Sequence, residues 1–465
     1  MAVFTRVLVA VALCLSFVSA VPPYPITHAA RSGRNAGHSF SISQTPKVDV
    51  ARHGPTEYLK TLKKFKANIP PGLQDVVDAH KTAAKKVMTT YGDKPLNGTT
   101  VPSASKDGDV LWLTPVGIGS PPQQLILDLD TGSSDTWIFS TDTDKQDVAG
   151  QTVWDPSKSS TSRKIDNCTW SIIYGDFSNS EGICYRDTFT FGNISIPNMT
   201  IESATSVSDI FTESSYLSGL VGLAWPSISQ LVPPQKTLLD FLPEVLSKAL
   251  FTVDLRHNGS DGSFNFGYID DTLHTSKIRY VDVDTSEGFW SVKNTGFSIE
   301  GVNVKYKFAE APDVIIDTGS TLFFAPDEAV EQYFLNVAGS KYSYADYGWL
   351  LPCNSTPPDF TWEIGDARGN TVVGTIPGEY FIFAHSTNEM CYSGLQSVGL
   401  FSGVQGIFGD VFLKSLFAVF DISGKKFGAA TKPLNTDNYR RAVGAKGRDR
   451  NAHAHKPTRI LSGKV

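Results

Sequence analysis

One segment of this 465-residue chain occurs twice. Leu125-Ile126-Leu127-Asp128-Leu129-Asp130-Thr131-Gly132-Ser133 is echoed by Val314-Ile315-Ile316-Asp317-Thr318-Gly319-Ser320-Thr321. Each copy is an apolar run, read as a strand, that ends in Asp-Thr-Gly-Ser. A second echo keeps step with the first: Gly222 in Leu220-Val221-Gly222 and Gly409 in Ile407-Phe408-Gly409 each lie 92 residues after their Asp. A lone Asp-Thr-Gly-Ser is an ordinary strand-to-turn, because Asp, Gly and Ser are turn residues. Two copies with matched downstream partners mark an internal duplication; if two such lobes pack about a pseudo-twofold axis, their two carboxylates meet. Each apolar strand then delivers its Asp to the floor of a cleft, and Thr-Gly allows a sharp turn with exposed N–H groups. Carboxylates that meet there cannot both ionise easily and tend to share one proton. One can act as general base on a water while the other, protonated, donates to a substrate carbonyl. The bland alternative is two symmetric turn aspartates with no chemistry.

The rest of the body fits this frame. From about Asp109 onward the chain predicts short strands, such as Leu125–Leu129, Phe189–Phe191, Thr252–Leu255, Val314–Ile316 and Phe417–Phe420, with turn residues between them. Helical patterns are few there, at Leu238–Leu250 and Asp327–Val337. With 39 Gly, 26 Pro and 19% charged residues, the composition argues against a coiled coil or a mainly helical protein. A largely β body of two lobes follows.

Charge divides the chain sharply. The formal total is −6. Residues 21–100 hold 12 basic and 5 acidic residues, 101–435 hold 20 and 40, and 436–465 hold 8 and 2. A nucleic-acid binder places its basic excess on the folded body; here the body is strongly acidic, so nucleic acid is excluded as a partner. The basic segment 21–100 carries two helix-compatible runs, Tyr58 to Lys66 and Leu73 to Met88, separated by Pro70-Pro71. A basic segment beside an acidic body reads as a propeptide held on by charge, with a basic linker as the alternative.

The first twenty residues carry one early Arg6, a short apolar run and the small-residue ending Val18-Ser19-Ala20, which predicts a secretory signal peptide cut after Ala20. The run is shorter than the ~20 residues a membrane span needs, and no later stretch is long enough, so no membrane span is expected. Six Asn-x-Ser/Thr sequons, at Asn97, Asn167, Asn193, Asn198, Asn258 and Asn354, agree with a secretory route. A secreted, extracellular protein is expected, with a vacuolar destination as the minor alternative.

With these motifs assembled, the chain resembles the pepsin-like aspartic proteases, the secreted fungal members above all, from about Asp109 to Pro433. The resemblance implies a mainly β, bilobal fold with an active-site cleft between the lobes. It implies an acid endopeptidase that cuts between bulky apolar residues, needs neither cofactor nor metal, and acts as a monomer on protein and peptide substrates. Asp130 and Asp317 match the catalytic pair, within the loops Thr131-Gly132-Ser133 and Thr318-Gly319-Ser320. Ser133 and Ser320 match the hydroxyls that bond the outer carboxylate oxygens, and Thr131 and Thr318 the threonines that lock the loops together. Trp112 stands where the family's first strand usually has Tyr. Tyr174-Gly175-Asp176 matches the flap, a hairpin that closes over bound peptide; Trp137 matches the flap tyrosine's partner, and Thr321 is expected at the substrate. Phe177 departs from the Gly common at the flap tip, which leaves the cleavage preference open. Asp176 is a candidate acceptor for a substrate lysine, or simply a turn residue.

By the same resemblance Cys353 and Cys391 form the second-lobe disulfide. Cys168 and Cys184, which many fungal relatives lack, are equidistant from position 176 at the centre of the flap hairpin, so they should face each other on its strands. A bond there closes a loop worth ~3 kcal/mol in the chain-entropy model. In related zymogens a prosegment lysine blocks the catalytic carboxylates. Lys64, followed by Phe65, is the candidate here, with a plain basic helix face as the alternative. The expected organisation is a signal at 1–20, a prosegment at 21–106, an N-terminal lobe with the flap at 107–295, a C-terminal lobe at 296–433 and a basic tail at 434–465. The mature chain is expected to begin between Lys94 and Asp107. A catalytically silent pepsin-like binding or inhibitor protein is the competing reading. Such proteins lose an Asp, the motif Gly or the flap Tyr, and all are present here. No G-x-S-x-G elbow or H-E-x-x-H pattern supports other hydrolases.

Overall fold

Short apolar runs punctuated by turn residues build a largely β molecule, described by a computed structural model over residues 37–46, 52–91, 112–173, 179–212, 214–257, 262–399 and 404–434. The leader, Asn97, the flap residues Tyr174, Gly175, Asp176 and Phe177, Asn258 and the chain beyond 434 lie outside the described residues. The elements used below are β1 (Phe40–Pro46), α1 (Gly54–Lys64), α2 (Leu73–Tyr91), β2 (Trp112–Ile118), β3 (Gln123–Asp130), β4 (Thr136–Ile138), β5 (Arg163–Ile173), β6 (Asn179–Phe191), β7 (Ile194–Ser206) and β8 (Gly219–Gly222).

The duplication is expressed as two matching strand crossings. β3 pairs in parallel with β8, which sets Asp130 opposite Gly222. Its counterpart Asp313–Ile316 pairs in parallel with Ile407–Phe408, so Asp317 follows its strand beside Gly409. In each half a further short strand, β4 or Phe323–Ala325, runs antiparallel to that partner, and each lies parallel to one more strand. The apolar residues of β3 explain its depth: Leu125, Leu127 and Leu129 are buried in the main core, as are Val314 and Ile316 in the second copy. Fully burying such side chains stabilises the fold by about 1.5–3 kcal/mol each.

Three sheets, of fourteen, eight and four strands, carry the architecture. The strand Ser291–Ile299, within the eight-stranded sheet, continues through positions 295 and 296 with a register shift between Asn294 and Gly296. Two features concern the segment before residue 107. β1 is inserted into the fourteen-stranded sheet between Gly262–Phe266 and β2, pairing Phe40 with Phe266 and Pro46 with Trp112. α1 and α2 lie on a separate apolar cluster, where Tyr58, Leu59, Leu62, Leu73 and Val77 pack against Leu322, Phe324, Leu350, Phe383 and Tyr392.

Helix limits differ from the sequence-based ones for local reasons. α1 begins at Gly54 rather than Tyr58 because Pro55 supplies a pre-set first turn. It ends at Lys64, and Lys66 then takes a left-handed φ of 52°. The helix expected over Leu238–Leu250 stops at Val245, where the backbone is drawn into pairing with residue 38 and then into the strand Leu250–Asp254. The helix expected over Asp327–Val337 ends at Leu335.

Candidate active site

The two Asp-Thr-Gly-Ser turns meet at the floor of a cleft of about 820 Å³. Each carboxylate is gripped by its own turn. Asp130 accepts from the Gly132 N–H at 2.8 Å and from Ser133 Oγ at 2.6 Å. Asp317 accepts from the Gly319 N–H at 3.0 Å and from Ser320 Oγ at 2.5 Å. The turns are then locked to each other in a crossed pattern. The Thr131 N–H donates to Thr318 Oγ1 at 3.0 Å and the Thr318 N–H to Thr131 Oγ1 at 2.9 Å. The hydroxyls reach across as well, Thr131 to the Ile316 carbonyl at 2.9 Å and Thr318 to the Leu129 carbonyl at 2.6 Å. Glycine is required at both turns: a Cβ on Gly132 would lie 2.5 Å from Asp317 Oδ1, and one on Gly319 would meet Asp130 Oδ1 closer still. Each glycine makes room for the other lobe's carboxylate.

Lys64 sits between the two acids. Its Nζ lies 2.7 Å from Asp130 Oδ1 and 2.9 Å from both Asp317 oxygens. One ammonium within hydrogen-bond reach of both carboxylates fixes how close they are. Burial opposes ionisation of Asp130, but the Lys64 charge and hydrogen bond, with help from Ser133, outweigh it and hold the acid below the usual carboxylate range. For Asp317 burial wins, aided by the Asp130 charge against Lys64, and pushes it up to about 6. Burial alone would lower Lys64; the two carboxylates overcome that and raise it. The acids are therefore unequal, one held ionised and the other inclined to carry a proton.

Other expected residues fall around this centre. Trp137 is buried in β4 against Trp170, Phe139 and Phe211 at the flap base. Thr321 Oγ1 donates to Glu57 Oε2 at 2.9 Å. Trp112 Nε1 donates to Asp410 Oδ2 at 3.1 Å, tying β2 to the short helix Asp410–Leu413 that follows Gly409. The flap strands β5 and β6 pair antiparallel, and Cys168 and Cys184 are joined across them with Cα atoms 5.5 Å apart. Cys353 and Cys391 form the second disulfide. They make with His385 the one His/Cys/acid cluster of metal-ligand type found among the described residues; their sulfurs are consumed by the bond. Asn167, Asn193, Asn198 and Asn354 are exposed; Asn193 Nδ2 also donates to the Ser39 carbonyl at 3.3 Å.

Two cleft residues were not singled out from sequence. Glu57 lies seven residues before Lys64, two helical turns along one face of α1, so the helix period carried the signal. Asp128, two residues before Asp130 in β3, is buried and lines the cleft. Burial, then the Asp130 charge, push it well above the usual carboxylate range.

Residues 111–432 match the model of the eukaryotic aspartyl protease family. The chain is 38% identical over 401 residues to endothiapepsin of Cryphonectria parasitica, covering 85% of this chain and 89% of the relative. It is 37% identical over 421 residues to aspergillopepsin-1 of Aspergillus pseudoglaucus, covering 90% and 99%. Against podosporapepsin of Podospora anserina the identity is 40% over 331 residues, 70% of this chain and 75% of the relative.

Proposed function

The chain belongs to the eukaryotic aspartyl protease family, and on that premise we propose that Asp130 and Asp317 together activate the water that hydrolyses the peptide bond. Its fold is the mainly β, bilobal pepsin-like one, and its activity is that of an aspartic-type endopeptidase acting on peptides. The observation that carries the residue assignment is a single one: one ammonium touches both carboxylates at 2.7 and 2.9 Å. A water at the Lys64 Nζ position would receive both acids within hydrogen-bond distance. The acid that is ionised takes a proton from that water as it attacks the substrate carbonyl, and the protonated acid donates to the carbonyl oxygen. Ser133 and Ser320 hold the outer oxygens, and the Gly132 and Gly319 N–H groups the inner ones, so that neither carboxylate turns away. The crossed threonine bonds keep the two half-sites in register.

Residues 21–106 act in this reading as an inhibitory prosegment. α1 fills the cleft, Lys64 occupies the position of the water, and Glu57 takes the Thr321 hydroxyl. The mature enzyme begins between Lys94 and Asp107, works outside the cell and prefers bulky apolar residues beside the cleaved bond. No helix among the described residues is long and apolar enough to cross a membrane.

The test is hydrolysis of a denatured protein by the acid-treated chain at pH 3–4 and at pH 7, with and without a statine-type inhibitor. Inhibitable cleavage at acid pH is expected, with Asp317→Asn lowering the rate by about 10²- to 10⁴-fold. Full activity in Asp317→Asn would refute the assignment.

A further inference from the structure

Two histidines meet where α1 begins. His53 caps the start of α1, and His80 lies seven residues into α2. Their rings are stacked face to face, with centroids 3.8 Å apart and planes 3° from parallel. His53 Nδ1 is 2.7 Å from Thr56 Oγ1, which fixes the ring against its own helix. The stack joins the two helices that hold Lys64 in the cleft: Leu59 and Leu62 of α1, and Leu73 and Val77 of α2, share one apolar cluster with the body. Gly54, the next residue, is pressed so closely on the Tyr392 ring that a Cβ there would overlap it. This end of α1 has little room to shift.

Neutral imidazoles stack comfortably; two imidazolium ions face to face at this distance repel. We propose that the His53–His80 stack is the acid latch of the prosegment, holding α1 to α2 while neutral and driving them apart when protonated, so that Lys64 leaves the cleft. This rests on the reading of residues 21–106 as an inhibitory prosegment. Among the described residues no neutralising partner of equal weight faces the pair. From the turn at 344–347 Asp346 faces the pair, but its Oδ2 accepts from Ser343 Oγ at 2.5 Å and its Oδ1 from Ser386 Oγ at 2.8 Å. Arg52, just before α1, donates to the Phe383 carbonyl at 3.2 Å and lies over the Phe383 ring. On α1, Glu57 is engaged by Lys60 and Thr321. On α2, Asp78 stands 4.0 Å from Lys81. Burial and then His80 push His53 down to about 3, against the weaker pull of Asp346, and burial lowers His80 as well.

A histidine lowered by folding contributes docking stability that is complete above its ordinary value of ~6.5 and is lost as the pH falls toward its folded value. Prosegment docking therefore weakens about tenfold per pH unit below ~6.5 for each imidazole so held. That window opens well above the range in which ordinary carboxylates titrate. Release can begin before the acidic body loses its charge.

The experiment uses the full chain with Asp317→Asn, which prevents self-cleavage, and follows hydrogen-exchange protection of α1 and α2 from pH 7 to pH 4. Protection should fall by more than tenfold, and up to about a hundredfold, per pH unit between about 6.5 and 4.5, because two imidazoles take up protons on opening. In the same chain carrying His53→Asn and His80→Phe it should stay level through that range. An equal fall in the double variant, or no fall in the parent, overturns the proposal. If the double variant does not fold, His80→Phe alone keeps an aromatic ring in the stack and leaves one titrating imidazole; an unchanged slope there overturns the proposal too. A separate arm tests the underlying reading: at pH 6 a statine-type peptide should bind the chain freed of residues 21–106 and not the unprocessed chain. Equal binding removes the inhibitory prosegment itself, whatever the exchange data show.

Discussion

Asp135 offers a measurable consequence of running this fold in acid. It is 3% exposed, just behind the Asp130 turn, and Glu202, also buried, lies beside it at 1%. Asp135 accepts from Ser229 Oγ at 2.7 Å and the Gln230 N–H at 2.9 Å, yet burial pushes it up to about 6. Among the described residues Glu202 accepts only from the Thr136 N–H at 3.1 Å; burial, then the Asp135 charge, push it well above the usual range. Burial favours the protonated form of both acids in the fold, and they ionise more readily once it opens. Their contribution is complete below about pH 4, and for Asp135 it is lost as the pH rises toward about 6. A rise from 3.8 to about 6 corresponds to about 3 kcal/mol at 1.36 kcal/mol per unit, an upper figure for a group that titrates beside another acid. Asp135→Asn retains an acceptor at Oδ1 and cannot ionise. Urea unfolding of the unprocessed chain, with Asp317→Asn in every sample, is measured at pH 3.5 and pH 6.5. The loss of stability between those values should be smaller in Asp135→Asn by about 2–3 kcal/mol, and Glu202→Gln should act in the same direction. Comparing pH values cancels any fixed cost of the substitution and the pH response of the prosegment. Equal losses in parent and variant would show that these carboxyls are ionised in the fold and that the electrostatic reasoning is wrong.

Further outcomes test the same framework. Lys64→Met removes the cation from between two buried carboxylates, so the unprocessed chain should lose about 3–5 kcal/mol of prosegment docking and hydrolyse a synthetic peptide before any cleavage; an unprocessed variant as silent as the parent refutes the blocking role. Leu62→Ala, at a side chain with no exposed surface, should weaken docking by about 2–4 kcal/mol and raise the pH at which the precursor is half converted. Replacing Cys168 and Cys184 together by Ala opens a loop of 16 residues' separation and should lower urea stability by about 3 kcal/mol while leaving the site geometry, and hence acid cleavage of a short peptide, in place.

What could be read from the sequence was what depends on local order. The strand-turn pattern before Asp130 and Asp317 is short-range chemistry, and its repetition with Gly222 and Gly409 implied two halves without any knowledge of their packing. The position of Cys168 opposite Cys184 was legible because antiparallel partners in a hairpin have a constant index sum, and Thr169 pairs with Ile183 on that same sum. The sequons and the leader were likewise local signals. Helix ends were less legible, since Pro55 extended one and pairing with residue 38 shortened another.

The remainder belongs to the tertiary structure, because it joins residues with no sequence relation. The insertion of β1 beside β2 depends on which sheet edge is open, not on the pattern of β1 itself. The stack of His53 on His80 depends on how α1 and α2 pack; two histidines 27 positions apart carry no periodic signal. Asp135 and Glu202 share a buried site because β4 pairs in parallel with β7, setting Trp137 opposite Glu202. Which basic residue of α1 enters the cleft is decided by the helix's rotation, set by Leu59 and Leu62 on their cluster. Local chemistry thus named the acids and the turns that hold them, whereas burial and long-range packing decided their unequal protonation and what stands between them.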